Sequence, residues 1–197
     1  MGDESELEAR ICAAALACVA RWGIAKTTLE DVAREAGCGR ATIYRTFRGG
    51  KAEVLQACVA REARRLRAEV DAAAERGGDD LAEVVVQGVV AVARFLHGHD
   101  AIRYLLAHEP DAVLPWIAFR SMGPLFDLAS RFADPHLARF VPDPDERRRA
   151  AEWLTRVVVT YVLNPADGVD LTIEADARRL LTTYVLPGVT IQTKEQA

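Results

Sequence analysis

The chain has 197 residues, 50% of them hydrophobic, and carries a net charge of −4. That length can bury a sizeable core in one or two domains. The acidic balance excludes a chain that is basic all over, so any hold on nucleic acid must come from a local positive surface.

Ala, Leu and Arg dominate and β-branched alternation is scarce, which predicts an all-α protein. The acidic start (Asp3, Glu4, Glu6, Glu8) lacks the basic region of a secretory signal. Residues 7–22 form an Ala-rich amphipathic helix ended by Gly23. Thr27 and Glu30 have the spacing of a capping box. Leu29, Val32, Ala33 and Ala36 then recur at helical spacing, with Glu30, Asp31, Arg34 and Glu35 on the wet side. Gly37 should end this helix through a positive φ, and Ala33 is small where a second helix must cross closely. The run from Arg40 to Phe47 predicts that second helix. Ile43 and Phe47 point inward, leaving Arg40, Ala41, Thr42, Tyr44, Arg45 and Thr46 outward.

Two short helices across a tight glycine turn are the layout of a helix-turn-helix, whose second helix enters the major groove of DNA. From Arg40 to Arg67 there are eight bases against two acids, Glu53 and Glu62. The four bases from Arg40 to Lys51, with no acid among them, are assigned to DNA. Arg61 to Arg67 reads as a solvated helix face.

The stretch T-T-x-x-x-V-A-x-x-A-G at residues 27–37, then Thr42, Ile43, Tyr44 and Phe47, then Lys51, resembles the DNA-binding domain of the tetracycline-repressor (TetR) family of bacterial regulators. The likeness is close over about the first quarter of the chain and elsewhere extends only to length and helical layout. It implies an N-terminal three-helix DNA-binding domain at 1–50 and a helical ligand-binding and dimerisation domain at 51–197, about nine helices in all. It also implies roles: Thr28, Tyr44 and Lys51 on phosphates, and Arg40, Ala41, Thr42, Arg45 and Thr46 toward base edges. Three departures stand out. Gly39 replaces the serine or other polar cap common there, Thr46 stands where a histidine is common, and the link Arg48-Gly49-Gly50-Lys51 is one residue longer than usual.

Further along, residues 51–75 predict a long helix closed by Arg76-Gly77-Gly78. Asp79-Asp80 open an apolar helix at 81–96, which ends at His97-Gly98-His99, taken as a solvated terminus. A short helix follows at 101–108, then a break at 110–115. Residues 116–132 read as a helix distorted at Gly123-Pro124, followed by a linker punctuated by Pro135, Pro142 and Pro144. The last two helices, 145–163 and 173–186, carry apolar surface on more than one face, with Thr172 as the cap of the second. The longest uncharged run, 180–193, has 14 residues and is broken by Pro187-Gly188, short of the ~18 that suggest a membrane span. The expectation is a soluble, cytoplasmic protein with no membrane partner.

Cys12, Cys18, Cys38 and Cys58 form no C-x-x-C pair and read as buried small hydrophobes. Neither they nor His97, His99 and His108 have metal-ligand spacing, so neither metal nor cofactor is expected. In the family resembled, the last two helices pair two copies into a homodimer that reads a palindromic operator in double-stranded DNA. The resemblance also implies a cavity for a small-molecule effector among the central helices, with Phe95, Tyr104, Trp116, Phe119, Met122 and Phe126 as candidate lining. Few charges occur there, so the effector should be apolar or amphipathic. The reading is a repressor and not an enzyme, since no nucleophile elbow, phosphate-binding glycine loop or metal-spaced set is present. An activator of the same family, a helical enzyme using the cavity and an adaptor binding an acidic protein are the alternatives.

Overall fold

The computed structural model of the chain describes residues 2–112, 122–164 and 166–187. Among them every regular element is helical: α1 Gly2–Lys26, α2 Leu29–Glu35, α3 Arg40–Thr46, α4 Gly50–Arg76, α5 Leu81–Gly98, α6 Asp100–His108, α7 Gly123–Leu137, α8 Pro144–Leu163 and α9 Glu174–Leu180. The last continues into a π-helical turn, Leu181–Val185. The all-α expectation holds.

Local chemistry sets the boundaries. α1 is interrupted at Gly23, whose φ of 81° and ψ of 172° leave the helical region. The expected capping box is shifted by one residue: the N-cap of α2 is Thr28 and its reciprocal partner is Asp31. Both threonines fit the spacing, but Thr27 is buried and its hydroxyl donates to the Gly23 carbonyl at 2.7 Å, so only Thr28 is left to cap. Asp80 opens α5 by accepting from the amides of Ala82 (2.7 Å) and Glu83 (3.2 Å). The corner before it closes over glycine alone, because a Cβ on Gly77 would lie 2.5 Å from the Val84 nitrogen.

Three expectations are corrected in the later helices. His99 is not a solvated terminus: its side chain accepts from the Ile102 amide and caps α6. Pro135 does not punctuate a linker but lies inside α7. Proline there leaves the carbonyl of residue 131 without its helical donor, and the Arg67 guanidinium supplies one, at 3.0 Å from the Arg131 oxygen. Thr172 does not cap α9. Its hydroxyl donates to Asp170 at 2.7 Å, and Ile173 takes the cap position without a side-chain bond. The expected Gly123-Pro124 distortion is where α7 begins, Pro124 occupying the first turn, where a missing N–H costs nothing.

The chain folds as two compact units. The first holds α1–α3, α4 as far as Arg65, and α6; the second holds α4 from Leu66, α5, and α7–α9. The first core gathers Ile11, Cys12, Cys18, Val32, Ile43, Phe47, Val54 and Cys58. Within this unit α6 lies against α1, and Glu109 accepts from the amides of Ile24 (2.9 Å) and Ala25 (3.4 Å). Those amides follow the break at Gly23. The carboxylate sits so close that a Cβ on Gly23 would lie 2.0 Å from its Oε1, so position 23 needs glycine for space as well as for φ.

The second core gathers the α5 valines with Leu137, Ala150, Val158, Leu171, Ala177, Leu181 and Val185. By composition α5 is apolar enough to cross a membrane, with a mean hydropathy of 1.4 over 18 residues. Its Val85, Val86, Val89 and Val90 are buried in this core instead.

Candidate functional site

The reading head is built from α2, its turn and α3. The turn is a Schellman motif: Cys38 N donates to Ala33 O (2.9 Å) and Gly37 N to Arg34 O (3.3 Å), with Gly37 at φ 62°. α1 braces it from behind. Arg10 Nε donates to the Ala36 carbonyl (3.1 Å), and Arg21 grips Glu35 with two bonds of 2.8 and 3.1 Å. α3 has no side-chain cap, as Gly39 predicts. What fixes it is burial: Ile43 is 0% exposed and Phe47 is also buried.

With those two side chains inward, Arg40, Ala41, Tyr44, Arg45 and Arg48 are exposed, Thr42 and Thr46 half-buried. Tyr44 keeps 42% of its surface. Thr28 is exposed but committed to Asp31, whose N–H it receives at 3.2 Å while its own hydroxyl donates to Oδ2 at 2.6 Å. Those bonds from Thr28 hold the Asp31 carboxyl below its ordinary pKa. Thr46 donates its hydroxyl back to the Thr42 carbonyl (3.0 Å). Lys51 lies at the start of α4, its ammonium donating to the Ile24 carbonyl. Arg40 bonds Glu30 of α2 and reaches the Tyr44 hydroxyl at 3.3 Å, with its guanidinium 5.4 Å from that ring's centre. Sequence reasoning placed Glu30 in the wrong role; the T-x-x-E spacing concealed that the carboxylate points across to α3.

A second feature lies wholly within the second unit. A partly open cavity of about 200 Å³ lies among α4, α5, α7 and α8, its wall including Leu66, Val70, Ala74, Val85, Gly88, Val89, Val92, Leu128, Ala129, Phe132, Ala133, His136, Ala151, Leu154, Thr155 and Val158. Space remains because the facing side chains are short. A Cβ built on Gly88 meets nothing within 4 Å. Thr155 donates its hydroxyl to the Ala151 carbonyl at 2.7 Å.

Residues 11–58 match the family described as bacterial regulatory proteins, tetR family. Over 193 residues the chain is 31% identical to an uncharacterised HTH-type transcriptional regulator of Mycobacterium bovis, covering 94% of this chain and 95% of that one. The chain belongs to the TetR family. A Mycobacterium tuberculosis regulator described in the same words is 29% identical over 163 residues, 82% of this chain and 75% of its own. Among solved structures, the TetR-family repressor AlkX from a Dietzia strain, implicated in biodegradation of n-alkanes, superposes with a TM-score of 0.65 at 21% identity, over 90% of this chain and 97% of that one. The fatty acid degradation regulator FadR from Bacillus halodurans gives 0.58 at 19%, over 89% and 97%. At those identities the two structures speak for the fold.

The protein is therefore a TetR-family, DNA-binding transcriptional regulator. Of the six aromatic and Met residues named from the sequence, the four that are described lie outside the wall of this cavity. Phe95 is buried in α5 outside the cavity wall, Tyr104 stacks on His108 in the first unit at 4.4 Å, and Phe126 lies under the Arg156 guanidinium at 4.6 Å. Met122 precedes α7 and is absent from the wall, while Trp116 and Phe119 fall outside the described residues. Large rings fill volume; the void forms where Val, Ala and Gly face one another.

Proposed function

We propose that this regulator is a dimeric repressor that reads a palindromic operator and is released by an apolar or amphipathic small molecule. One observation carries the DNA half: a short helix pinned from below by Ile43 and Phe47 presents Arg40, Ala41, Tyr44 and Arg45 to solvent, in a segment holding four bases and no acid. Tyr44, Thr28 and Lys51 take phosphates. An ammonium has three donors, so Lys51 can keep its bond to Ile24 and still reach an oxygen. Arg40, Ala41, Thr42 and Arg45 read base edges, and Thr46, its hydroxyl already spent on Thr42, offers its methyl group to a thymine.

Pairing through α8 and the final helical segment is supported by large apolar side chains left in water there, Trp153 at 51% and Tyr184 at 73%, with Leu163 at the end of α8 and Ile173 at the N-cap of α9 also exposed. A two-fold through that surface sets two heads on two half-sites. Repression needs occupancy alone, whereas activation would need a further surface for the polymerase. The apolar cavity supports the effector half.

Selection from random DNA at several salt concentrations tests the reading. The expected result is one enriched palindrome and an affinity falling steeply with salt. Arg40→Ala should relax base choice at one position by about 1–3 kcal/mol. Binding with no enriched sequence would overturn it.

A further inference from the structure

The cavity wall contains two polar side chains among the described residues, Thr155 and His136. Thr155 already donates its hydroxyl within α8. His136 is different. Its Nε2 lies 2.7 Å from Asp71 Oδ1 on α4, and Arg67 Nε reaches the two oxygens of the same carboxylate at 2.8 and 2.9 Å. Burial works against the Asp71 carboxylate, but the hydrogen bonds from His136 and Arg67 outweigh it and hold the pKa below its ordinary value. An ionised carboxylate only accepts, so the proton of this pair sits on His136 Nε2. That leaves Nδ1 as the ring's remaining hydrogen-bonding atom, a lone pair in the neutral imidazole.

Exposure gives the site a direction. His136 is 19% exposed, while Asp71 and Arg67 behind it keep 37% and 35%. The triad therefore stands at a wetted edge of a cavity whose other described wall residues, Thr155 apart, are Val, Leu, Ala, Phe and Gly. Its charges are also already matched: Arg67 balances Asp71, and among the described residues no Lys or Arg lines the wall. An anionic head would enter without a countercharge, which is costly in an apolar setting. An uncharged O–H head would find an acceptor.

We infer that the effector is an aliphatic molecule with one uncharged hydroxyl head, its tail in the cavity and its head on His136, which Asp71 holds in the accepting tautomer. This rests on reading the cavity as the effector site. A volume of about 200 Å³ exceeds the ~150 Å³ of an apolar cavity that admits benzene, so a chain of medium length fits.

Calorimetry on the full chain with n-decane, n-decanol and decanoate, alongside operator release by each, is the test. In the unaltered protein n-decanol should bind more tightly than decanoate. His136→Leu should weaken n-decanol by about threefold to tenfold, the worth of one neutral hydrogen bond, and leave n-decane unchanged or tighter. His136→Gln, which keeps an acceptor, should recover most of the loss, and Thr155→Val should move none of the three. The Gln variant and the Thr155 control keep the result readable if the leucine variant folds poorly. Tighter binding of decanoate, or equal weakening of n-decane and n-decanol, overturns the inference. If n-decane binds and frees operator whatever stands at 136, the head assignment falls while the repressor reading survives. If n-decanol binds through His136 without freeing operator, the reverse holds.

Discussion

The two cores of this regulator use similar apolar side chains to opposite ends. In the first, Ile11, Ile43 and Phe47 interlock with Ala14, Ala15, Ala33 and Cys58, and small residues sit where helices cross. In the second, Gly88, Ala74, Ala129, Ala133 and Ala151 face one another and leave a void. The first packing fixes the angle at which α3 is presented, which base reading needs to within a fraction of an ångström. The second gives up packing free energy, since a void forfeits the contacts of its lining, and gains room for a guest.

The contrast would break most visibly at Ile43. Ile43→Ala removes a side chain that is 0% exposed and should cost about 2–5 kcal/mol. Chemical denaturation should show that loss together with loss of DNA binding, while ligand uptake in the second unit persists. If uptake disappears too, the units are not energetically separate. A sharper test adds the same side chain to both cores. Ala33→Leu overfills a closed crossing and should destabilise by about 1–3 kcal/mol. Gly88→Leu grows into open space and replaces a mid-helix glycine, so it should stabilise by about 1 kcal/mol while abolishing ligand uptake. Equal signs in the two melts would erase the distinction between a filled core and a hollow one.

Much of the head was legible because its signals are local and steric. Gly37 must take a positive φ, Ile43 and Phe47 are four apart, and Gly39 cannot cap. The frame of the capping box was not, because Thr27-Glu30 and Thr28-Asp31 both satisfy the pattern and only burial of Thr27 separates them. Contacts distant in sequence left no trace: Glu109 reaches the break at Gly23 from the end of α6, and Arg67 repairs the helix at Pro135. The wall of this cavity was not legible in the sequence for a physical reason. A sequence displays its large aromatics, whereas a void is made by absent atoms, and the informative residues were Gly88 and four alanines. His136 could have been noticed as the one histidine beyond His108, but only its partner Asp71 on α4 gives it a role.

A smaller effect separates caps from cores. Thr28→Ala should cost about 1 kcal/mol of head stability, well below the Ile43 change, and should leave the hollow unit's melting unaltered. A shift in both would mean that α2 helps to hold the second unit.

The smallest effect is acid dependence, and it links that cap to a titration. The Asp31 carboxyl is held below its ordinary pKa first by the Thr28 hydroxyl, then by the Thr28 amide, with Arg34 adding to it. A group depressed in the folded state contributes stability that is complete above its unfolded pKa and lost as pH falls through the folded value. Asp31 is half-buried at the protein surface, so solvent still screens the effect and keeps it modest, and its clearest reading is the carboxyl's own titration by NMR rather than a melt. Thr28→Ala removes the hydroxyl, the largest of these causes, and should return that titration part of the way to the ordinary range, with the backbone amide of residue 28 and Arg34 still lowering it. Asp71 in the second unit, depressed by His136 and Arg67, should titrate as before in the same variant. If Asp31 stays as depressed without the Thr28 hydroxyl, the backbone amide and Arg34 govern its titration, and the hydroxyl serves the start of α2 only as the acceptor that caps it.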